Sequence, residues 1–299
     1  MRSCLLVVNP KSGSGRAIRR ARELTSGLGE GCRFEVLETQ RRGHAADDLP
    51  VRAASFESVV AVGGDGTLNE VLSGLMRIEP MERRSALGFL PAGTANVAVL
   101  AFGFGTEPGA VARSLEAATP RPVDVGIASH EGAERPFLLW CGAGYDAVVI
   151  DALNRERTGL MGLAGLVRKA PGVLRAVHRY PAPAIDVETD GVTSRGASVI
   201  LANVGKVAFG GSVADGADPF DGRLDVVSVP RLGTLGMAAL GVRMLMSSLE
   251  RAPGVGHGRG THIRLQAREP VPFQLDGEPV GQLPVDVRIV PGAVRLLLT

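Results

Sequence analysis

The sequence predicts an α/β domain followed by an antiparallel β-sandwich domain, because its two parts have different patterns. In the first part, short apolar runs alternate with segments of helical spacing, which is typical of βαβ units in a mainly parallel sheet. In the second part, many short strand-like runs are separated by turn signals, which favours a sandwich. We therefore predict domains at residues 1–124 and 125–299, the second with helical insertions at about 147–179 and 233–249.

The predicted elements of the first domain follow one another in a regular order. Four apolar runs predict strands, and the segments that follow them have helical spacing. One such segment, "AADDLPVRAAS", is interrupted by Pro50, which we expect to break the helix. The predicted strands are 4–9, 33–39, 58–64 and 86–93, and the other predicted helices are 17–28, 67–77 and 108–118.

Composition narrows the class of function. Aromatic residues make up 4% of the chain and the net charge is +2, so we expect no nucleic-acid partner. The three cysteines, Cys4, Cys32 and Cys141, are far apart, which argues against a zinc site or disulfides and fits a cytoplasmic location. The most apolar later stretch, 233–249, contains Arg243 and is shorter than the roughly 20 residues of a membrane span.

Three glycine-bearing turns follow predicted parallel strands, at 9–16, 63–67 and 91–96. Ligands of such sheets lie at the carboxyl ends of the strands, and glycine lets backbone N–H groups approach a phosphate closely. The second turn carries Asp65 and no lysine, so it is not a Walker-type loop. The alternative is an ordinary strand-to-helix turn, in which Thr67 caps the helix and the glutamate three residues on completes a capping box.

These motifs, taken in order, resemble a known family. "NPKSGSG", "GGDGTLNEVLSGL" and "PAGTAN" look like the soluble diacylglycerol-kinase-type lipid kinases, relatives of sphingosine and ceramide kinases. "RPVDVG", "GAGYDAVV", "FGGSVADGADPFDGRLDVV" and "QLDGEPV" extend the resemblance over nearly the whole chain. The sequence departs from the family at Val97, where an aspartate is frequent, and at Ser212, where the family usually has a third glycine.

The resemblance implies that ATP binds between a Rossmann-like three-layer α/β domain and the β-sandwich domain. The nucleotide contacts that it implies come from the three glycine turns and from the end of the second strand. They are Asn9, Pro10, Lys11, Ser12, Gly13, Thr39, Gly64, Asp65, Gly66, Thr67, Leu68, Asn69, Glu70 and Thr94.

The resemblance also implies the chemistry. Glu278 would accept the proton of the acceptor hydroxyl, and we expect Asp65 and Asp276 to belong to the catalytic set with it. The family's ordered Mg²⁺ would bind the Asp221 side chain and the backbone carbonyls of Asp218 and Arg223. We further expect Asp65 to serve the Mg²⁺ that arrives with ATP. The alternative for the Asp276-Gly277 pair is a simple hairpin turn, and both interpretations can hold together.

Residues 157–180 are basic, carry no acid and have apolar residues near one helical face, with a break expected at Pro171. They could dock on an anionic bilayer, and a core-facing helix pair is the alternative. We predict a cytoplasmic, peripherally membrane-associated kinase that uses ATP and Mg²⁺ on diacylglycerol or a similar lipid. Another GGDGT kinase, such as an NAD kinase, and a nucleotide- or lipid-binding module with decayed catalysis are the alternatives. The acceptor lipid and the oligomeric state, including a homodimer, are left open.

Overall fold

The computed structural model describes residues 2–29, 31–155, 163–207 and 210–298. The chain divides into two compact units, one formed by Met1–Asp124 with Gly292–Thr299 and the other by Val125–Pro291. The sequence assigned all of 125–299 to the second domain, whereas the structure returns the last residues to the first unit. The reason is the final apolar strand, in which Leu296 pairs in parallel with Leu87 of the first unit.

The first unit is built on a parallel sheet with strand order β2-β1-β3-β4. Three of its strands are apolar and buried along most of their length, as a sheet covered on both faces requires, whereas the edge strand at Cys32–Glu38 is mostly exposed. The strands are β1 (Arg2–Val8), β2 (Cys32–Glu38), β3 (Ser58–Gly63) and β4 (Ala86–Pro91), and the helices are α1 (Arg16–Ser26), α2 (His44–Arg52), α3 (Asp65–Met76), α4 (Val97–Phe102) and α5 (Pro108–Ala117).

Helices cover both faces of this sheet and give three layers. On one face, Leu24 of α1 and Leu115 of α5 pack in one cluster with Leu6 and Val60 of the strands. On the other face, α3 packs on β3 and α2 packs on α3. Successive strand residues point to opposite faces, so each strand contributes to both layers. The predicted Rossmann-like three-layer α/β domain is therefore confirmed.

The second unit is a sandwich of antiparallel strands, as predicted. One sheet has the order β12-β11-β10-β7-β14-β15, and the other contains β16-β13-β8-β9 together with β5 and β6. The strands are β5 (Arg121–His130), β6 (Ala133–Phe137), β7 (Trp140–Gly144), β8 (Ile185–Thr189), β9 (Val192–Gly196), β10 (Ser198–Ala202), β11 (Leu224–Val229), β12 (Gly256–Gly260), β13 (His262–Ala267), β14 (Pro272–Leu275), β15 (Glu278–Gln282) and β16 (Val285–Leu296).

Both sheets contribute to one buried core. Phe273 and Leu201 come from one sheet, and Ile263, Val287 and Phe137 come from the other. Side chains that alternate inward along each strand form such a core between two packed sheets.

The second unit also carries three helices, α6 (Tyr145–Arg155), α7 (Leu163–Arg179) and α8 (Thr234–Leu245). The breaks expected at Pro50 and Pro171 do not occur, since both prolines lie inside helices, α2 and α7. A proline costs one intrahelical hydrogen bond, and tertiary packing offsets it. In α7 that packing is the cluster of Val177 with Tyr145 of α6. Within the described residues, no helix is long and apolar enough to cross a bilayer.

Candidate functional site

Three loops of the first unit meet at the carboxyl ends of β1, β3 and β4. We call residues 9–15 the first loop, 63–67 the second loop and 91–96 the third loop. The Gly63 carbonyl accepts hydrogen bonds from the N–H groups of Ala92 and Gly93, at 2.6 and 3.1 Å. The Asn9 N–H donates to the Val62 carbonyl at 3.0 Å. The second loop is thus bonded to the third and adjoins the start of the first.

Side chains connect the same loops. Asn9 Nδ2 donates to the Thr67 hydroxyl at 3.3 Å, and the Lys11 N–H donates to Asn9 Oδ1 at 3.1 Å. The expectation that Thr67 caps the helix is wrong, because α3 begins at Asp65 and Thr67 lies in its first turn, buried. The residue before α3, Gly64, has extended backbone and provides no side-chain cap. The Thr67 hydroxyl instead holds the first loop against the second.

Asp65 joins the second loop to the third. Its two carboxylate oxygens accept hydrogen bonds from the backbone N–H groups of Val97 and Ala98, at 3.0 and 3.1 Å. Those N–H groups belong to the first turn of α4, which has no intrahelical partner for them. Burial raises the pKa of Asp65, and these bonds act in the opposite direction. The acid at the tip of the glycine turn therefore anchors the third loop.

Two glycines make the close approach of the loops possible. A Cβ atom on Gly93 would lie 2.6 Å from the Gly64 Cα atom, so a side chain there would push the second and third loops apart. A Cβ atom on Gly13 would lie 2.1 Å from the Ala92 carbonyl oxygen, and Gly13 has a φ of +59°. Only glycine adopts that conformation readily at so short a distance.

Two further polar side chains, which are not among the predicted nucleotide contacts, lie at the loops. The Arg16 guanidinium donates to the Gly13 and Gly93 carbonyls, at 3.2 and 3.4 Å, and places a positive charge between the first and third loops. Asn96 Oδ1 is buried and has no hydrogen-bond partner among the described residues. A buried, unpaired oxygen of this kind is a candidate acceptor for a ligand hydroxyl or amino group.

The other predicted nucleotide residues surround these loops. Lys11, Gly66 and Thr94 are exposed at the loop surface, and Leu68 is buried in the first turn of α3. Thr39 follows β2, where its N–H donates to the Val8 carbonyl at 2.9 Å. The half-buried members are Asn9, Pro10, Ser12, Gly13, Thr39, Gly64, Asp65, Asn69 and Glu70.

In the second unit, the predicted hairpin is present and presents Glu278 at its end. Asp276 and Gly277 connect β14 to β15 and both have positive φ, +48° and +85°, as a tight hairpin turn requires. Glu278 is the first residue of β15 and is half-buried. The Asp276 carboxylate accepts N–H bonds from residues 138–140 at 2.8 to 3.1 Å, so it anchors the turn.

A second set of bonds fixes the residue before Glu278. The Gly277 N–H donates to Gln274 Oε1 at 2.6 Å, and the Gly277 carbonyl accepts from Asn154 Nδ2 at 2.9 Å. Gln274, which is fully buried, donates through Nε2 to Asp146 Oδ2 at 2.7 Å. Asp146 belongs to the "GAGYDAVV" motif, but its pairing with Gln274 has no signal in the sequence.

Asp146 has an unusual environment. Burial raises its pKa to about 6, and hydrogen bonds from the side chains of Gln274 and Trp140 lower it in part. The carboxylate fits because Gly142 has no side chain, since a Cβ atom there would lie 1.8 Å from Asp146 Oδ2. A buried carboxyl with a raised pKa, connected through Gln274 to the turn that precedes a predicted general base, is typical of a functional site.

The predicted metal residues lie in the loop before β11. Asp221 Oδ1 accepts the Arg223 N–H at 3.0 Å, and its Oδ2 forms an ion pair with Arg259. Asp218 Oδ1 accepts the Phe220 N–H at 3.1 Å. Among the described residues, no group of three or more His, Cys, Asp and Glu side chains has an arrangement that could hold a metal. Both carboxylate oxygens of Asp221 are thus engaged by groups of the protein itself, and the metal set stays a prediction.

Comparison with known proteins agrees with these two units. The family model for the diacylglycerol kinase catalytic domain matches residues 3–128, and the model for the YegS C-terminal NAD kinase beta sandwich-like domain matches residues 140–298. A Pseudomonas aeruginosa protein named "Probable lipid kinase YegS-like" is 32% identical over 82% of this chain and 78% of its own length. A Chromohalobacter salexigens protein with the same name is 28% identical over 97% of this chain and 91% of its own length.

Solved structures support the same fold. Three chains from Bacillus anthracis str. Sterne, two named "putative diacylglycerol kinase" and one named as a diacylglycerol kinase, superpose with TM-scores of 0.77, 0.76 and 0.71. Each covers 100% of this chain and 97% of its own length, at 19 to 20% identity. The chain therefore belongs to the diacylglycerol kinase catalytic-domain family and carries the YegS-type C-terminal sandwich.

Proposed function

We propose that this chain is a lipid kinase that transfers the γ-phosphate of ATP to a lipid hydroxyl, with diacylglycerol as the first candidate acceptor and phosphatidic acid as the product. The observation that carries the proposal is the set of interlocked glycine loops at the carboxyl edge of the parallel sheet. Relatives of the chain that are named lipid kinases share its family and most of its length.

The three loops would hold the nucleotide chiefly through backbone N–H groups. Glycines and a helix N-terminus at the second loop offer neutral donors to phosphate oxygens. Lys11 and Arg16 would add positive charge, and the buried Asn96 Oδ1 would accept from the nucleotide. Asp65 would act on the nucleotide indirectly, because its oxygens already accept the N–H groups of α4.

Glu278 would take the proton of the acceptor hydroxyl as the phosphate is transferred. A general base must be held within hydrogen-bond reach of the proton that it accepts. The bonds of Asp276 to residues 138–140, and those of Gly277 to Gln274 and Asn154, fix the backbone on which Glu278 stands. These contacts support the proposal, because they hold the backbone that carries the Glu278 carboxylate in one position.

Magnesium would arrive with ATP and supply charge neutralisation on the phosphates. The phosphates would then be bound by backbone N–H groups and by the cations Lys11 and Arg16. Because the divalent ion already neutralises part of the phosphate charge, the lysine of a Walker-type loop is not required. The predicted ligand set of Asp221 and the carbonyls of Asp218 and Arg223 takes no part in any step proposed here.

The protein would bind its lipid acceptor at an anionic bilayer surface. In α7, the exposed residues at 167, 168, 171, 174, 175, 178 and 179 form one helical stripe that is apolar and basic. The neighbouring α8 exposes Leu235 and Val242, and Met246 follows at its end; these side chains are 87, 56 and 72% exposed. Neither helix contains Asp or Glu. An apolar stripe beside arginines complements a surface of anionic lipid.

Vesicle sedimentation tests this surface. We expect wild-type protein to sediment with phosphatidylglycerol-containing vesicles and Leu235→Asp and Met246→Asp to reduce the bound fraction. Met81→Asp is the matched control, because Met81 is 88% exposed in the other unit. Equal binding of all variants would remove α8 from the contact. Activity on detergent-dispersed acceptor should not change, so the kinase proposal is tested separately.

The kinase proposal itself is tested with purified protein, radiolabelled ATP and Mg²⁺ on a panel of acceptors. The panel contains diacylglycerol, sphingosine, ceramide, phosphatidylglycerol and NAD. We expect label in a lipid, with diacylglycerol preferred. Label in NAD alone would make the chain an NAD kinase. ATP binding without label in any acceptor would favour a module with decayed catalysis.

A further inference from the structure

Arg259 bridges two carboxylates at the loop where the family resemblance expects a metal. Its Nη2 atom pairs with Asp221 Oδ2, and its Nε atom lies 3.3 Å from Asp225 Oδ2. Arg259 and Asp225 face each other across the paired strands β12 and β11, so the arginine is positioned by the sheet.

Asp225 depends on this arginine for its charge balance. Its side chain is only 14% exposed. Asp225 Oδ2 is buried and has no hydrogen bond among the described residues, so the ion pair with Arg259 is its compensation. A buried carboxylate that loses its cation is strongly unfavourable.

Asp221 also has its carboxylate oxygens engaged. Oδ1 accepts the Arg223 N–H, and Oδ2 faces the guanidinium. A divalent cation bound to Asp221 would lie beside the Arg259 charge, and the two cations would repel each other. Metal and arginine therefore compete for the same position.

We propose that the Arg259 guanidinium supplies the positive charge of the loop at residues 218–225, in place of a divalent cation. The loop is then ordered in the nucleotide-free chain without Mg²⁺, and Arg259 acts as a positioning residue for the segment that leads into β11. This inference does not depend on the acceptor, nor on the Mg²⁺ that accompanies ATP.

Thermal unfolding of the nucleotide-free protein tests the proposal, in EDTA and in MgCl₂ at matched ionic strength. Wild type should have the same Tm in both. Arg259→Gln should lower the Tm in EDTA by about 3 °C or more, and Mg²⁺ should restore part of that loss. Arg259→Lys should lose less than Arg259→Gln, because it keeps the charge, but it should not reach the wild-type Tm, because one ammonium group cannot replace the two nitrogens that face the two carboxylates.

Arg264→Gln is the matched control, since Arg264 forms a comparable cross-strand pair with Asp286 at 3.3 Å between β13 and β16. It should lower the Tm little and show no response to Mg²⁺. A wild-type Tm that rises in Mg²⁺ would overturn the proposal. So would an Arg259→Gln loss no larger than that of the control, or a loss that Mg²⁺ leaves unchanged.

Discussion

Replacing Asp65 by asparagine tests whether the carboxylate anchors the third loop. The Val97 and Ala98 N–H groups donate to its two oxygens at 3.0 and 3.1 Å. Asparagine keeps one acceptor oxygen and turns an NH₂ group toward the other N–H, so one charge-assisted hydrogen bond is lost. Hydrogen bonds to charged groups contribute about 1.5–3 kcal/mol each.

A second effect opposes this loss. Burial raises the pKa of Asp65, so the ionised carboxylate carries a desolvation cost that asparagine does not have. We therefore expect the free energy of unfolding at pH 7 to fall by about 1–2 kcal/mol, less than the value of the bond alone. The third loop should shift, and the KM for ATP should rise about 10-fold or more while the acceptor KM changes little.

Chemical unfolding without nucleotide and steady-state kinetics are the assays. Asp48→Asn is the control, because Asp48 makes a half-buried i,i+4 pair with Arg52 in the same unit, worth about 0.5 kcal/mol. If Asp65→Asn unfolds like wild type and only its Mg²⁺ dependence with ATP changes, Asp65 serves the metal, as the sequence alone suggested. If neither stability nor ATP kinetics changes, the anchoring role is refuted.

The remaining predictions concern the glycine contact and the contacts beneath Glu278. Gly93→Ala should lower the free energy of unfolding and the affinity for ATP, because its Cβ atom would lie 2.6 Å from the Gly64 Cα atom. Gly31→Ala is the control and should be neutral, because a Cβ atom there meets open space. Equal free energies of unfolding for the two variants would argue against the close contact. Because burial raises the Asp146 pKa from 3.8 to about 6, the folded chain binds this proton more tightly. The free energy of unfolding should therefore fall as pH rises from about 4 to about 6, by on the order of 3 kcal/mol, and Asp146→Asn should lack this slope in pH-dependent unfolding. Gln274→Leu should lower kcat about 10-fold and leave the KM for ATP near wild type, since both of its bonds act on the acceptor side; a wild-type kcat would remove it from the positioning of Glu278.

The alternation of strands and helices, the glycine turns and the late hairpin could all be predicted from the sequence because their signals are local. An apolar run followed by glycines predicts a strand and a turn from a segment of about ten residues alone. The Asp276-Gly277 turn is an example, since two positive φ values at neighbouring residues favour that pair.

The partners of the functional side chains could not be predicted, because they are distant in sequence. Asp65 bonds to residues 32 and 33 positions away, and Gln274 reaches Asp146 across 128 positions. Nothing in the motif marks Asp65 as an anchor for α4. Likewise, the pairing of Arg259 with Asp225 follows from the register of β11 and β12, which the sequence leaves unspecified.

The helix breaks expected at two prolines were wrong for a related reason. Intrinsic preference opposes proline in a helix, but tertiary packing decides when both ends of the helix are held. Val177 of α7 packs in a cluster with Tyr145, and the helix continues through Pro171. The place of the last residues in the first unit is also decided by tertiary packing, because their apolar pattern is compatible with both a parallel and an antiparallel sheet.

The kinetics of Glu278→Gln test the central claim most directly. With saturating ATP·Mg and diacylglycerol in detergent micelles, we predict a fall in turnover of about 100-fold or more, the scale of a lost general base. Equilibrium ATP binding should stay at its wild-type value, and Glu269→Gln, on an exposed loop of the same unit, should leave both unchanged. Turnover of Glu278→Gln close to wild type would contradict the assignment of the base.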